Sequence, residues 1–175
     1  MAEFKSHLKS IFGAREERGQ RFHEILRTPD DLVSLVLRGH LVVEELLFAA
    51  VSAHCQETEH LKIARLRFPQ LVALLRALEK ISAVPSNYWT ALSELNSLRN
   101  ALAHNLEPQD LASRVARFVA VIAEGSMEVK LPEPHSSREA LEAALFHLIG
   151  GLEVVAVWQA AVEDLIRHRI ARAAD

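Results

Sequence analysis

Apolar residues recur at three- and four-residue intervals along nearly the whole chain, the spacing that gathers them on one face of an α-helix. Between Glu3 and Leu26 the set is Phe4, Leu8, Ile11, Phe12, Phe22, Ile25 and Leu26 around a charged centre, which predicts one or two amphipathic helices. Thr28-Pro29-Asp30-Asp31 then reads as a helix start, with Thr28 as N-cap, Pro29 at the first helical position and an acid three residues after the cap facing the helix dipole. The helix that follows is predicted to reach about Gln56. Its polar stripe is thin, Ser34, Arg38, Glu45 and Ala49, and nearly everything else is Val, Leu, Phe or Ala. A helix so apolar belongs at the centre of a bundle.

Beyond the polar stretch 56–60, a basic amphipathic segment with Lys62, Arg65 and Arg67 leads to a helix over Gln70–Ile81 opened by Pro69. Val84-Pro85-Ser86-Asn87 is a turn, with Ser86 the expected N-cap of a helix from about Tyr88 to Ala103. After a break at Asn105–Pro108, a helix over Gln109–Glu124 ends at Gly125, and Ser126–His135 forms a linker or short hairpin. Ser136-Ser137-Arg138-Glu139 is a capping box opening a final helix to about Arg172, with a bend expected at Gly150-Gly151. The expectation is an all-α bundle of about five to six helices in a single domain over 1–175.

Composition sharpens this reading. Of 175 residues 50% are hydrophobic, while Gly and Pro number only 6 each, which excludes extensive disorder and leaves little turn chemistry for a β fold. Twenty Lys and Arg against 23 Asp and Glu leave a net charge of −3, so any nucleic-acid contact must be local. A single cysteine, Cys55, and an N-terminus without a long apolar core make a cytoplasmic protein the expectation. The most apolar stretches are interrupted by Glu45, Glu57 and Glu153, too soon for a membrane span, so no membrane association is expected. Phosphate-binding glycine loops and a nucleophile elbow are both missing, which argues against nucleotide-dependent enzymes and serine hydrolases.

The segment Leu95-Asn96-Ser97-Leu98-Arg99-Asn100-Ala101-Leu102-Ala103-His104-Asn105 carries the candidate chemistry. An Arg and a His five positions apart is weak by itself; roughly one chance occurrence is expected at this composition, and Arg18–His23 is another. The setting raises it. Leu92, Leu95, Leu98 and Leu102 define a buried stripe, and Arg99 falls inside it on a helical wheel, so it must snorkel, meet a buried acid or line an interface. If the helix ends near His104, the imidazole can swing toward Arg99. Glu44, on the apolar face of the central helix with His40 one turn before it, is the expected partner of Arg99.

These residues, after an all-helical run that includes Gly39-His40-Leu41-Val42-Val43-Glu44-Glu45-Leu46-Leu47, resemble the HEPN superfamily, whose signature is an Arg, usually followed by a polar residue, and a His four to six positions after the Arg. Arg99, Asn100 and His104 match that signature. The resemblance covers residues 30–125, with 1–27 as an N-terminal helical extension and 136–172 as a long C-terminal helix. It implies a helical homodimer that cleaves RNA without a metal or other cofactor, commonly as the toxin of a toxin–antitoxin pair or a defence nuclease, so RNA and a cognate antitoxin are the implied partners. The chemistry is compatible with these residue types. Metal-free RNA cleavage needs a base for the 2′-hydroxyl proton, an acid for the leaving 5′-oxygen and a cation for the phosphorane, which histidine and arginine supply. His104 is thus the expected acid/base, Arg99 the phosphate stabiliser, Asn100 a support, and Glu44 a neighbour of the site.

The other reading is structural: an Arg buried against Glu44, a His offsetting a helix dipole, and a non-catalytic regulatory or interaction protein of the same fold. Arg114 and Arg117 offer an RNA-binding surface, as do Lys62, Arg65 and Arg67, though a solvated basic face is the commoner meaning of such residues. Tyr88 and Trp89 could stack a base, a position where aromatics more often serve the core. His54, Cys55 and His60 lack the second ligand pair a zinc site needs, and no metal is expected. Arg167, His168, Arg169 and Arg172 close the final helix, where its dipole favours cations.

Overall fold

A computed structural model describes residues 17, 19–27, 31–78, 84–105, 109–125 and 136–154. Among them every regular element is a helix: α1 (19–27), α2 (Leu32–Ser52), α3 (Thr58–Ala64), α4 (Phe68–Leu78), α5 (Ser86–His104), α6 (Leu111–Gly125) and α7 (137–154). The fold is an all-α bundle. The expected helix around Phe4–Phe12, the Thr28 cap with Pro29, the loop 126–135 and the basic end 167–172 lie outside the described residues.

Helix α2 is the centre, as its apolar sequence requires. Leu35, Val36, Val42, Val43, Leu46, Leu47, Ala50 and Val51 are buried around it, and each buried Leu or Val side chain contributes on the order of 1.5–3 kcal/mol. It packs against α4 and α5 on one side. On another, Gly39 admits the side chain of Leu145 from α7, so α2 and α7 touch where a Cβ would not fit. The two outer helices share this core. Phe22 and Leu26 of α1 and Leu141, Ala144, Leu145 and Leu148 of α7 belong to the same buried cluster as α2 and α5. Arg21 of α1 adds a two-pronged bond to Glu45 of α2, at 3.1 and 3.3 Å.

Several boundaries differ from those the sequence predicts. Helix α2 starts at Leu32 with Asp31 as its cap; the carboxylate accepts from the Ser34 N–H at 2.9 Å and satisfies one of the free first-turn donors. It stops at Ser52, where Ala53 and His54 turn the chain. Ser86 is the first residue of α5, and its predicted capping role is absent: Pro85 stands at the cap without a side-chain bond. The capping of α7 does form, with Ser136 Oγ accepting from the Glu139 N–H at 3.2 Å, and α7 stays helical through Gly150 and Gly151. Helix α3 buries no residue and ends at Arg65, whose φ of 46° is the left-handed turn that stops a helix.

The polar stripe of α2 is also wider than predicted. Leu37 and Leu41, one turn apart, are 38% and 63% exposed. They adjoin Glu44 and Glu45 and leave an apolar strip uncovered on the central helix.

The cap yields a first prediction. That amide bond, made with the ionised carboxyl, holds Asp31 below the ordinary carboxylate value of 3.8. The stabilisation is therefore present above that value and lost as pH falls through the lower folded one. Asp31→Ala is expected to lower the melting temperature at pH 7 and Asp31→Asn largely to restore it. Thermal melts at pH 7 and pH 3 check this; a wild-type advantage over the alanine variant that persists undiminished at pH 3 contradicts it.

Candidate functional site

Helix α5 buries Tyr88, Ala91, Leu92, Leu95, Leu98 and Leu102, the three- and four-residue spacing of one helical face. Its other flank carries Asn96, Asn100 and His104, each one turn beyond the last, with Arg99 at the edge. Arg99 is exposed. The expectation that it lies within the buried stripe is corrected: its backbone position falls on that side of the helical wheel, but the residue is exposed.

Arg99 and Glu44 form no ion pair, which corrects a second expectation. The Arg99 guanidinium donates to Asn100 Oδ1 at 3.3 Å, and Glu44 lies instead beside His40, Oε2 4.0 Å from Nδ1. Helix geometry also persists to the motif's end. The Asn105 N–H reaches Ala101 O, and His104 is still helical, so Arg99 and His104 project about 140° apart and the expected swing of the imidazole toward the arginine does not occur. Asn100 lies between the two. It is bonded to Arg99 and sits one turn before His104 on the same flank. The result is an exposed strip, Arg99–Asn100–His104, with no acid paired to its cation among the described residues.

Arg114 and Arg117 are not gathered with this strip. They approach α5 from α6, on its other flank, where Arg114 bonds Asp110 at 2.6 Å and Ser97 Oγ at 3.3 Å, and Arg117 bonds Glu94 at 2.7 and 2.8 Å. Each guanidinium faces a carboxylate, which removes much of its attraction for phosphate. Lys62 is similarly tied to Glu59. Tyr88 is a core residue, its hydroxyl donating to His147 O at 3.4 Å, while Trp89 is half-buried with the Arg76 guanidinium 5.9 Å over its ring. Cys55 donates weakly to Val51 O. No group of three or more metal-ligating side chains occurs among the described residues. Nor is any helix there long and apolar enough to cross a membrane.

Sequence reasoning named His40 only as a neighbour of Glu44 and gave Asn96 no role. His40 is only 4% exposed, stacked on Phe68 with ring centroids 4.3 Å apart, and its Nε2 lies 3.4 Å from Asn96 Oδ1, a bond in which the imidazole N–H donates to the amide oxygen. A histidine on the buried face of the most apolar helix was the available signal. Burial pushes its pKa below 6.5; Glu44 and the Asn96 bond pull upward, and the Arg99 charge pushes down again. The imidazole thus couples α2, α4 and the strip on α5.

A folded pKa below the unfolded one means that the unfolded chain binds more protons just below pH 6.5, so stability falls as pH drops through that window. His147, lowered by burial, acts in the same direction. Urea unfolding at pH 7.5, 6.5 and 5.5 is expected to show this loss, and His40→Gln to reduce its slope. An unchanged slope in that variant contradicts the assignment.

No family model, no curated protein and no solved structure matches this chain.

Proposed function

We propose that this protein is a metal-independent endoribonuclease of HEPN type that acts as a homodimer. The observation that carries the proposal is the exposed Arg99–Asn100–His104 strip, whose cation faces no carboxylate among the described residues. In the proposed reaction His104 takes the proton of an RNA 2′-hydroxyl, the 2′-oxygen attacks phosphorus and the bond to the 5′-oxygen breaks. A second imidazole returns a proton to that oxygen, leaving a 2′,3′-cyclic phosphate and a 5′-hydroxyl. Arg99 balances the charge that builds on the phosphorane.

One chain offers one such histidine, directed about 140° away from Arg99, so the reaction draws on two strips facing each other. The uncovered pair Leu37 and Leu41, beside Glu44 on α2, offers apolar surface for that association. A stable dimer needs an interface of about 1,000 Å² or more. Within this reading a toxin or defence nuclease, restrained by a cognate antitoxin, is the cellular role proposed.

A second reading, a non-catalytic interaction protein, draws on the neutralisation of Arg114 and Arg117 and on the same exposed leucines. The two part in one experiment: incubation of a mixed RNA pool with the pure protein in EDTA, alongside His104→Ala and Arg99→Ala variants. Cleavage by the wild type, lost in both folded variants, supports the nuclease. An inert wild type leaves the interaction protein.

A further inference from the structure

Helix α2 is covered on three sides. Gly39 takes Leu145 of α7 at its back. At one edge His40 meets Asn96 of α5 at 3.4 Å and stacks on Phe68 of α4. At the other, Arg38 donates to Ile25 O of α1 at 3.2 Å, and Arg21 of α1 grips Glu45. Leu41 lies about 160° around the helix from Gly39, in the sector between those edges. There Ser34, Leu37, Leu41, Glu44 and Phe48 follow one another at alternating steps of three and four, the seam spacing along which two helices interlock. Leu37 and Leu41 are exposed and the other three half-buried. Single surface leucines are ordinary, but two of them one turn apart in the middle of such a seam form a continuous apolar face.

The charges beside the seam select its occupant. Arg38 stands three residues before Leu41 and Glu45 four after it, both on the α1 edge. Two copies of α2 packed antiparallel about a two-fold axis near Leu41, perpendicular to both helices, bring Arg38 of each copy level with Glu45 of the other on that edge. A parallel pair sets like charges level instead. Self-complementarity of the first kind is what a two-fold contact requires. We infer that the Leu37–Leu41 face of α2 is the interface with a second copy of this chain, the two α2 helices running antiparallel with Arg38 of each copy opposite Glu45 of the other. The same axis places the strips. It keeps the α5 edge of both copies on one side of the α2 pair, so the two helices that carry Arg99, Asn100 and His104 flank it together, whereas a parallel pair would send them to opposite sides. The interface rests on the nuclease reading for its purpose, the pairing of two strips, and stands without it as an association.

The test is sedimentation equilibrium of the full-length protein at about 1–100 μM, the range suited to an interface at the small end of the stable class, with circular dichroism melts of each variant. The wild type is expected to dimerise. Leu41→Glu sets two carboxylates against each other at the axis and weakens dimerisation about tenfold or more, while the exposure of that position keeps the fold intact. Arg38→Glu and Glu45→Arg each create two like-charge pairs and weaken self-association. Mixed in equal amounts, those two variants are expected to dimerise again, because the mixed pair holds one native and one reversed contact. In cleavage assays the rate of Leu41→Glu falls with its dimer fraction.

A wild type that stays monomeric throughout overturns the interface and leaves the face to an unlike partner. A dimer indifferent to Leu41→Glu uses other surface and overturns it too. Folded charge variants that fail to associate on mixing overturn the antiparallel pairing. The nuclease reading fails separately. An inert protein whose dimer obeys these substitutions leaves the interface standing, whereas full cleavage by a monomeric Leu41→Glu variant removes the paired strips and keeps the association.

Discussion

His104→Ala is expected to lower RNA cleavage by about 10²–10⁴-fold, the usual contribution of a positioned acid or base, while leaving the fold intact. The second half of that expectation follows from placement. His104 is exposed at the last residue of α5 and bonds no described neighbour, so its removal lies among surface changes worth about 0.5 kcal/mol or less. Arg99→Ala is expected to cost about 10²–10³-fold, as for loss of one donor to a developing oxyanion. Arg99→Lys keeps the charge but not the planar fork that grips two phosphate oxygens, and should recover only part of the rate. If the residues act as one unit, the double variant is little worse than the worse single one. Rates on a defined oligoribonucleotide in EDTA, with circular dichroism melts of each variant, give the comparison. Cleavage that survives in folded His104→Ala belongs to a contaminant or to another site, and the proposed chemistry falls with it.

Why the architecture was readable from the chain, and the site only partly, comes down to what a helical pattern encodes. The apolar spacing of α2 and of Leu92, Leu95, Leu98 and Leu102 marked central and packed helices because burial rewards periodicity directly. The exact ends were less visible. Thr28 and Ser86 both have capping chemistry, yet Asp31 and Pro85 occupy the caps, since which of several adjacent polar residues leaves the helix depends on the direction of the incoming chain. Arg99 shows the limit more sharply. A wheel places it among leucines, but it is exposed, since burial depends on which neighbouring elements cover each turn of α5, and no pattern within α5 records that. The same holds for Glu44, drawn to His40 within its own helix rather than to Arg99 across the interface. The His40–Asn96 bond joins positions 56 residues apart and left only an indirect trace, a polar ring on an apolar face.

Gly39→Val is expected to destabilise the fold, and Gly150→Ala to be a mild improvement, although both glycines sit inside long helices. A Cβ at position 39 would lie 2.6 and 2.8 Å from the two methyl groups of Leu145, far inside van der Waals contact. Leu145 is fully buried, so it can retreat only by displacing the core around it. Overpacking of this kind costs about 1–3 kcal/mol, and the two branches of valine place it at the upper end. In a protein of this size about 3 kcal/mol corresponds to roughly 6–12 °C in melting temperature. At position 150 no described residue lies within 4 Å of an added Cβ, so alanine brings only its helix propensity, up to about 1 kcal/mol. The contact itself is isolated by a cycle. Leu145→Ala alone opens a cavity worth about 2–5 kcal/mol, but combined with Gly39→Val the new methyl groups enter that space, and the pair should destabilise by less than the sum. Strict additivity of the two changes would mean that α2 and α7 do not meet at Gly39.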